Sequence, residues 1–184
     1  MQAPSGQATA PLLQALLEEG TLAGEWVLDP RKSTIRLKSR SMWGLAPVKG
    51  VFSEVSGSGT VTADGDVSGT VTVAGASVDT KHAKRDTHLR SADFFDVANN
   101  PDITFTADGA RPSAQGVAVT GMLTVRDRTR PLSFEAAASV QDDGEVWLDA
   151  EVHVNRADFG LTWNQLGMIS MNNTLTIHAV FTRR

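Results

Sequence analysis

A sustained alternation of apolar and polar side chains limits what this chain can fold into more than any other feature. Over residues 55–61, 67–75, 103–107 and 117–125, small or apolar residues fall on odd positions, with Ser, Thr and Asp among the residues between them. Over residues 132–138 and 146–154 they fall on even positions. A period of two is the pattern of β-strands that present one face to a core and the other to solvent. The sequence therefore predicts an all-β fold.

Short turns join the predicted strands. Residues 64–65 and 143–144 are Asp-Gly pairs, the signal of tight hairpins. Apolar positions are even over residues 48–52 and odd from residue 55, and a β-bulge near residues 53–54 would reconcile the two. About eight or nine antiparallel strands of this kind indicate a closed barrel, because closure leaves no exposed edge. A two-sheet sandwich fits the same pattern.

The N-terminus differs from the rest of the chain. Residues 1–10 are small and polar, and we expect no regular structure there. Residues 11–20 predict a short helix with Pro at its start, Gly at its end and four leucines on one face. A helix of about ten residues is too short to be stable alone in water. We expect it to pack on the outer barrel surface near Trp147. A lid over the barrel mouth and a homodimer contact are the alternatives.

The composition argues against several partners and chemistries. A net charge of -4 without a long basic run argues against a nucleic-acid partner. The absence of cysteine excludes disulfides and Cys-ligated zinc. No apolar run reaches the roughly 20 residues of a membrane span, so we expect no stable membrane insertion. No Lys or Arg precedes Arg31, so we expect no secretory signal and a cytoplasmic protein.

The densest mixture of charged, imidazole and aromatic side chains lies in residues 81–105. Strands are predicted before and after this segment, so it must cross between them, and we expect a helical turn within it. A long crossing with unusual chemistry in an all-β chain is more often functional than decorative.

The motifs of this segment resemble the signature of the YceI-like, polyisoprenoid-binding family. They are RDTHLRS at 85–91, DFFDV at 93–97 and PDITF at 101–105. Further motifs agree in order, namely WVLDP at 26–30, VKGVF at 48–52, GMLTV at 121–125 and NRADFG at 155–160. The similarity runs from about Trp26 to the C-terminus, and we divide the chain into an N-terminal part, 1–22, and a barrel domain, 23–184.

The resemblance implies a lipocalin-like antiparallel β-barrel of about eight strands. It also implies a binding protein, not an enzyme, with no cofactor. The expected ligand is a long-chain isoprenoid or similar amphiphile, such as an isoprenoid quinone or polyprenyl phosphate, held inside the barrel for transport, storage or sequestration. Two alternatives stay open, namely an interaction module with a filled barrel and a hydrolase that uses residues 85–90.

The interior of such a barrel is either filled by side chains or hollow enough for one small ligand. Its predicted inward rows are rich in small residues, which leave volume unless larger neighbours fill it. These rows include Gly57, Gly59, Gly69, Gly75, Gly121, Ala136, Ala138, Ala150 and Ala179.

The expected ligand contacts combine bulky apolar side chains for a tail with cationic groups for a head group. They are Trp43, Phe52, Arg85, His88, Arg90, Phe94, Phe95, Phe105, Leu123, Phe134, Phe159, Trp163 and Met168. The planar fork of arginine suits phosphate. Alternatively, Arg85 pairs with Asp86 and ties the crossing segment to the barrel. Of the four histidines only His82 and His88 are close in sequence, so we expect no metal site.

Overall fold

The computed structural model describes residues 9–184. Its α-helices are α1 (Ala10–Glu18) and α2 (Ala83–Arg90). Its strands are β1 (Gly24–Leu28), β2 (Thr34–Ser41), β3 (Ala46–Phe52), β4 (Val55–Val61), β5 (Val67–Ala74), β6 (Val78–Asp79), β7 (Asp102–Ser113), β8 (Gly116–Val125), β9 (Arg128–Val140), β10 (Val146–Asn155) and β11 (Asn172–Arg183). The predicted all-β class is confirmed, whereas the irregular structure predicted for residues 1–10 falls largely outside the described residues.

The strands close into an antiparallel barrel. Neighbours follow the order β1-β4-β5-β7-β8-β9-β10-β11, and β11 pairs back onto β1, which closes a ring of eight strands. Strand β2 continues the line of β1 along β11, and β3 continues the line of β4 along β2. The predicted lipocalin-like barrel is confirmed, and no helix within residues 9–184 is long and apolar enough to cross a membrane.

The turns and the change of register lie where the sequence predicts them. Gly65 and Gly144 each adopt a φ of 86°, a left-handed conformation that glycine accepts without strain. At residues 53–54 the chain leaves the β3 ladder and enters β4. The feature is therefore a break between two strands, not the single-residue bulge that was expected.

Helix α1 closes one end of the barrel. Leu13 is buried and packs against Val117, Ala138 and Leu148, which all line the interior. A Cβ placed on Gly65 would lie 3.3 Å from Cβ of Leu17, so the helix also meets the β4–β5 turn. The predicted position on the outer surface near Trp147 is therefore wrong, and the placement across the mouth is the one observed.

The outer surface near Trp147 is already occupied. The side chain of Ser33 accepts a hydrogen bond from the amide of Val180, which is fully buried beside Trp147. Lys32 contacts Glu145, whose carboxylate accepts the indole N–H of Trp147. The chain between β1 and β2 thus covers this apolar patch and leaves no face for the leucines of α1.

Candidate functional site

A cavity of about 490 Å³ occupies the barrel interior. Its wall is almost wholly apolar, and its lining extends from Leu13 in α1 to His88 in α2. Apolar side chains halfway along the strands, such as Val71, Leu148 and Ile177, are only half-buried although they point inward. They face this space instead of one another, so the barrel is hollow.

The inward glycines do not create the space. A Cβ on Gly121 would lie 2.2 Å from the carbonyl oxygen of Thr106 and 2.8 Å from Cζ of Phe105. On Gly69 it would lie 2.8 Å from the carbonyl oxygen of Ser58. These glycines mark close approaches between neighbouring strands. The expectation that they supply volume is wrong for these positions.

Helix α2 presents the polar end of the cavity. Nδ1 of His82 accepts a hydrogen bond from the amide of Arg85 at 3.2 Å and caps the helix N-terminus. The Ser91 hydroxyl donates to the carbonyl of His88 at the other end. Between these caps, Arg85 and His88 reach the cavity lining, so the predicted helical turn is confirmed.

Thr80 joins Arg85 and Asp86, which do not pair directly. Nε and Nη2 of Arg85 donate to Oγ1 and the carbonyl oxygen of Thr80 at 2.8 and 2.9 Å. Oδ1 of Asp86 accepts from the amide of Thr80 at 3.0 Å and from its hydroxyl. The predicted direct ion pair is therefore wrong, because both side chains reach the strand end first. Among the described residues, Nη1 of Arg85 has no hydrogen-bond partner.

Replacing Asp86 with Ala should remove the acceptor of the buried Thr80 amide. We expect a loss of about 2 kcal/mol in the free energy of unfolding, or roughly 6 °C in melting temperature. Asp86→Asn keeps one acceptor oxygen and should lose about half as much. Lys84→Ala, at an exposed position of the same helix, is the control. Equal melting of all three variants and the parent would contradict this role.

His88 lies in an aromatic corner beside Arg85. Its Nε2 is 2.9 Å from a carboxylate oxygen of Asp93. Its ring meets those of Phe94 and Trp163 edge-on, with centroids 5.1 and 4.3 Å away. One edge of the imidazole is therefore held by a carboxylate while the ring borders the apolar space.

Most of the residues expected to contact ligand lie in the cavity wall. They are Phe52, Arg85, His88, Phe94, Phe95, Phe105, Leu123, Phe134 and Phe159. Trp43, Arg90, Trp163 and Met168 lie outside the lining. Arg90 donates to the carbonyls of Ala76 and Val78, so it anchors the segment before α2. Ligand contact stays a prediction for all of them.

Arg156 holds the loop between β10 and β11. Its guanidinium donates to four carbonyl oxygens, those of Leu161, Trp163, Ile169 and Ser170. It also lies 5.4 Å from the ring centroid of Phe94. Burial lowers the pKa of Arg156, yet arginine stays protonated at any working pH. This one side chain therefore shapes the cavity wall beside Phe94.

No cluster in the described part of the chain brings together three or more His, Cys, Asp or Glu side chains in a way that could hold a metal ion.

Comparison with known proteins identifies the family of this barrel. The sequence pattern of the YceI-like domain matches residues 26–181. The chain belongs to the YceI-like family. Proteins named YceI from Salmonella arizonae and Salmonella newport are 38% identical to it over 113 residues. The alignment spans 58% of this chain and only 58% of each relative's length.

Three solved structures of similar fold are informative. BcnA of Burkholderia cenocepacia superimposes with a TM-score of 0.75 at 20% identity, over 83% of this chain and 98% of that one. A polyisoprenoid binding domain from Saccharophagus degradans gives 0.69 at 15% identity, over 86% and 98%. The Campylobacter jejuni YCEI protein gives 0.63 at 26%, over 74% and 85%. At 20% and 15% identity, the similarity to BcnA and to the Saccharophagus degradans domain shows the fold alone.

Sequence reasoning missed the role of Arg156 in this YceI-like barrel. The residue stands in the NRADFG motif at 155–160, which served only as part of the resemblance. The sequence signal was an arginine directly after a strand and before an irregular loop. Such a position indicates backbone carbonyls that need a donor.

Proposed function

We propose that this YceI-like protein binds the hydrocarbon tail of a long-chain isoprenoid amphiphile inside its barrel. The observation that carries the proposal is the apolar cavity of about 490 Å³ with Arg85 and His88 at one end. That arrangement suits a ligand with a long apolar tail and a polar or anionic head group. The name of the Saccharophagus degradans domain, polyisoprenoid binding, supports the same ligand class.

The cavity volume sets the length of tail that fits. A cavity of about 150 Å³ holds one benzene, so this one accommodates on the order of 20 carbons, or about four isoprene units. Burial of about 20 carbons contributes on the order of 16 kcal/mol before the entropic costs of association. The tail alone therefore suffices for tight binding, and a longer chain has to extend beyond the cavity.

The head group is proposed to lie against the free Nη1 of Arg85 and the ring of His88. A phosphate or a quinone carbonyl would accept from the guanidinium. The geometry favours binding over hydrolysis, because no Ser or Thr hydroxyl of the described residues is hydrogen-bonded to the His88 ring, whose recorded partner is Asp93. Transport, storage or sequestration of the lipid is the role that such a site supports.

Titration with geranylgeranyl diphosphate and geranylgeraniol tests the head-group assignment. We expect Arg85→Gln to weaken diphosphate binding by about 10- to 100-fold, the value of a hydrogen bond to a charged group. Alcohol binding should change little, because the tail contacts persist. Arg111→Gln, which alters an exposed arginine outside the cavity lining, is the matched control.

The two titrations distinguish binding of the tail from binding of the head group. Equal loss for both ligands would assign Arg85 to structure alone. Failure of the parent protein to bind either ligand would contradict the proposed function itself.

A further inference from the structure

The tip of the β2–β3 hairpin and the loop beside it carry the most exposed large apolar side chains of the described residues. Met42, Trp43 and Leu45 are 54%, 66% and 82% exposed. Leu166, in the loop before β11, is 79% exposed and lies beside them. The Trp43 indole N–H donates to the carbonyl of Leu166 at 3.3 Å. These four residues form one surface, the tip patch.

The backbone of the tip patch is held in an uncommon conformation. Met42, Trp43 and Leu166 have φ angles of 52°, 53° and 53°. This left-handed region is unfavourable for bulky side chains, and such strain concentrates at functional sites. The Trp43 amide donates to the carbonyl of Met168 at 3.1 Å, which fixes the hairpin tip against the neighbouring loop. Stability of the fold alone does not account for large apolar groups held outward in this way.

A row of basic side chains, the basic row, lies on the outward face of the hairpin below the tip patch. It consists of Arg36, Lys38, Arg40 and Lys49, which are all exposed. Within residues 9–184 none of them forms a salt bridge, and residues 30–53 contain no Asp or Glu. Lys38 stands directly opposite Lys49 in the β2–β3 ladder. Like charges in such a pair are destabilising unless an anion lies nearby.

The opposite end of the barrel carries the opposite charge. Its exposed carboxylates are Glu18, Glu19, Glu25, Asp64, Asp66, Asp142 and Asp143. The basic residues at that end are Arg31, Lys32, Arg183 and Arg184. An anionic surface would attract the hairpin and repel the α1 end, so it would orient the whole molecule.

We propose that the β2–β3 hairpin docks this protein reversibly on an anionic lipid surface. The tip patch enters the interface, where tryptophan is favoured, and the basic row meets the lipid head groups. A protein partner is less well matched, because an apolar tip with basic side chains behind it complements a surface that is anionic outside and apolar beneath. Ser39, Ser41 and Val48, just below the hairpin tip, line the cavity, so docking brings that end of the cavity to the membrane.

The docking surface goes beyond the proposed ligand binding and does not depend on it. Its test is co-sedimentation with vesicles of phosphatidylcholine mixed with phosphatidylglycerol, and with vesicles of phosphatidylcholine alone. We expect binding to the anionic vesicles only. It should weaken strongly in 1 M salt, where the screening length falls to about 3 Å.

Two double variants distinguish the contribution of the tip patch from that of the basic side chains. Trp43→Ser with Leu45→Ser should reduce binding more than tenfold by removing the apolar contacts. Lys38→Gln with Lys49→Gln should reduce it about 25-fold, since each basic residue near an anionic surface contributes about fivefold. Leu12→Ser and Arg31→Gln, an exposed leucine and an exposed arginine away from the hairpin, are the controls and should bind like the parent. If the double variant of the tip patch does not fold, Leu45→Ser alone tests the apolar contacts.

Three outcomes would overturn the proposal. The first is absence of parent binding to the anionic vesicles, and the second is equal binding to the neutral ones. The third is self-association in light scattering that the tip variant abolishes while vesicle binding is unchanged, which would make the tip patch a contact between copies of this chain.

Discussion

Replacing Arg156 with Met should lower the free energy of unfolding by about 4 kcal/mol, or roughly 10 °C in melting temperature. Methionine fills part of the same volume but donates no hydrogen bond. Four carbonyl oxygens, those of Leu161, Trp163, Ile169 and Ser170, would then lose their shared donor. A buried acceptor left without a partner costs about 1–3 kcal/mol, and partial entry of water reduces the sum.

Two further variants sharpen the Arg156 experiment. Arg156→Lys keeps the charge, but an ammonium group cannot reach four acceptors in the geometry of a guanidinium, so we expect an intermediate loss. Arg111→Met changes an exposed arginine and should stay within about 0.5 kcal/mol of the parent. Chemical unfolding followed by fluorescence gives the free energies. If Arg156→Met unfolds like Arg111→Met, the loop does not depend on this side chain.

Replacing Ala150 with Phe should weaken isoprenoid binding at least tenfold while the barrel stays folded. Ala150 lines the cavity and lies between Ala136 on β9 and Ile177 on β11. A phenyl ring there would take up to roughly a third of the space, because a cavity of about 150 Å³ holds one benzene. A tail of about four isoprene units then no longer fits, whereas a short one still does.

The matched control for Ala150→Phe is its neighbour on the opposite face of β10. Glu151→Phe adds the same ring at an exposed outward position and should leave affinity unchanged. Calorimetric titration of both variants with geranylgeraniol measures the difference, and circular dichroism verifies the fold. Unchanged affinity in a natively folded Ala150→Phe protein would contradict binding inside the barrel.

The barrel was predictable because its signals are local. Alternation with a period of two assigns each side chain to a face before any partner strand is known. The Asp-Gly pairs at 64–65 and 143–144 mark turns through the conformational freedom of glycine at one position. The crossing segment was recognisable from its motifs, and Arg85 and His88 do reach the cavity wall.

The predictions that were wrong depend on contacts that the order of residues in the sequence does not reveal. Helix α1 could have packed outside, but the chain between β1 and β2 had already covered Val180. The space around Gly121 is closed by the backbone of β7, which the residue type alone does not indicate. Arg85 and Asp86 meet through Thr80 because all three groups converge at the end of β6.

Mass spectrometry of an organic extract from the purified protein tests the central claim most directly. The parent protein should release about one isoprenoid per chain, since the cavity holds a single tail. Ala150→Phe, purified in parallel, should release far less, whereas Glu151→Phe should match the parent. A parent protein that carries no hydrophobic ligand, or an Ala150→Phe variant that carries as much as the parent, would contradict the account.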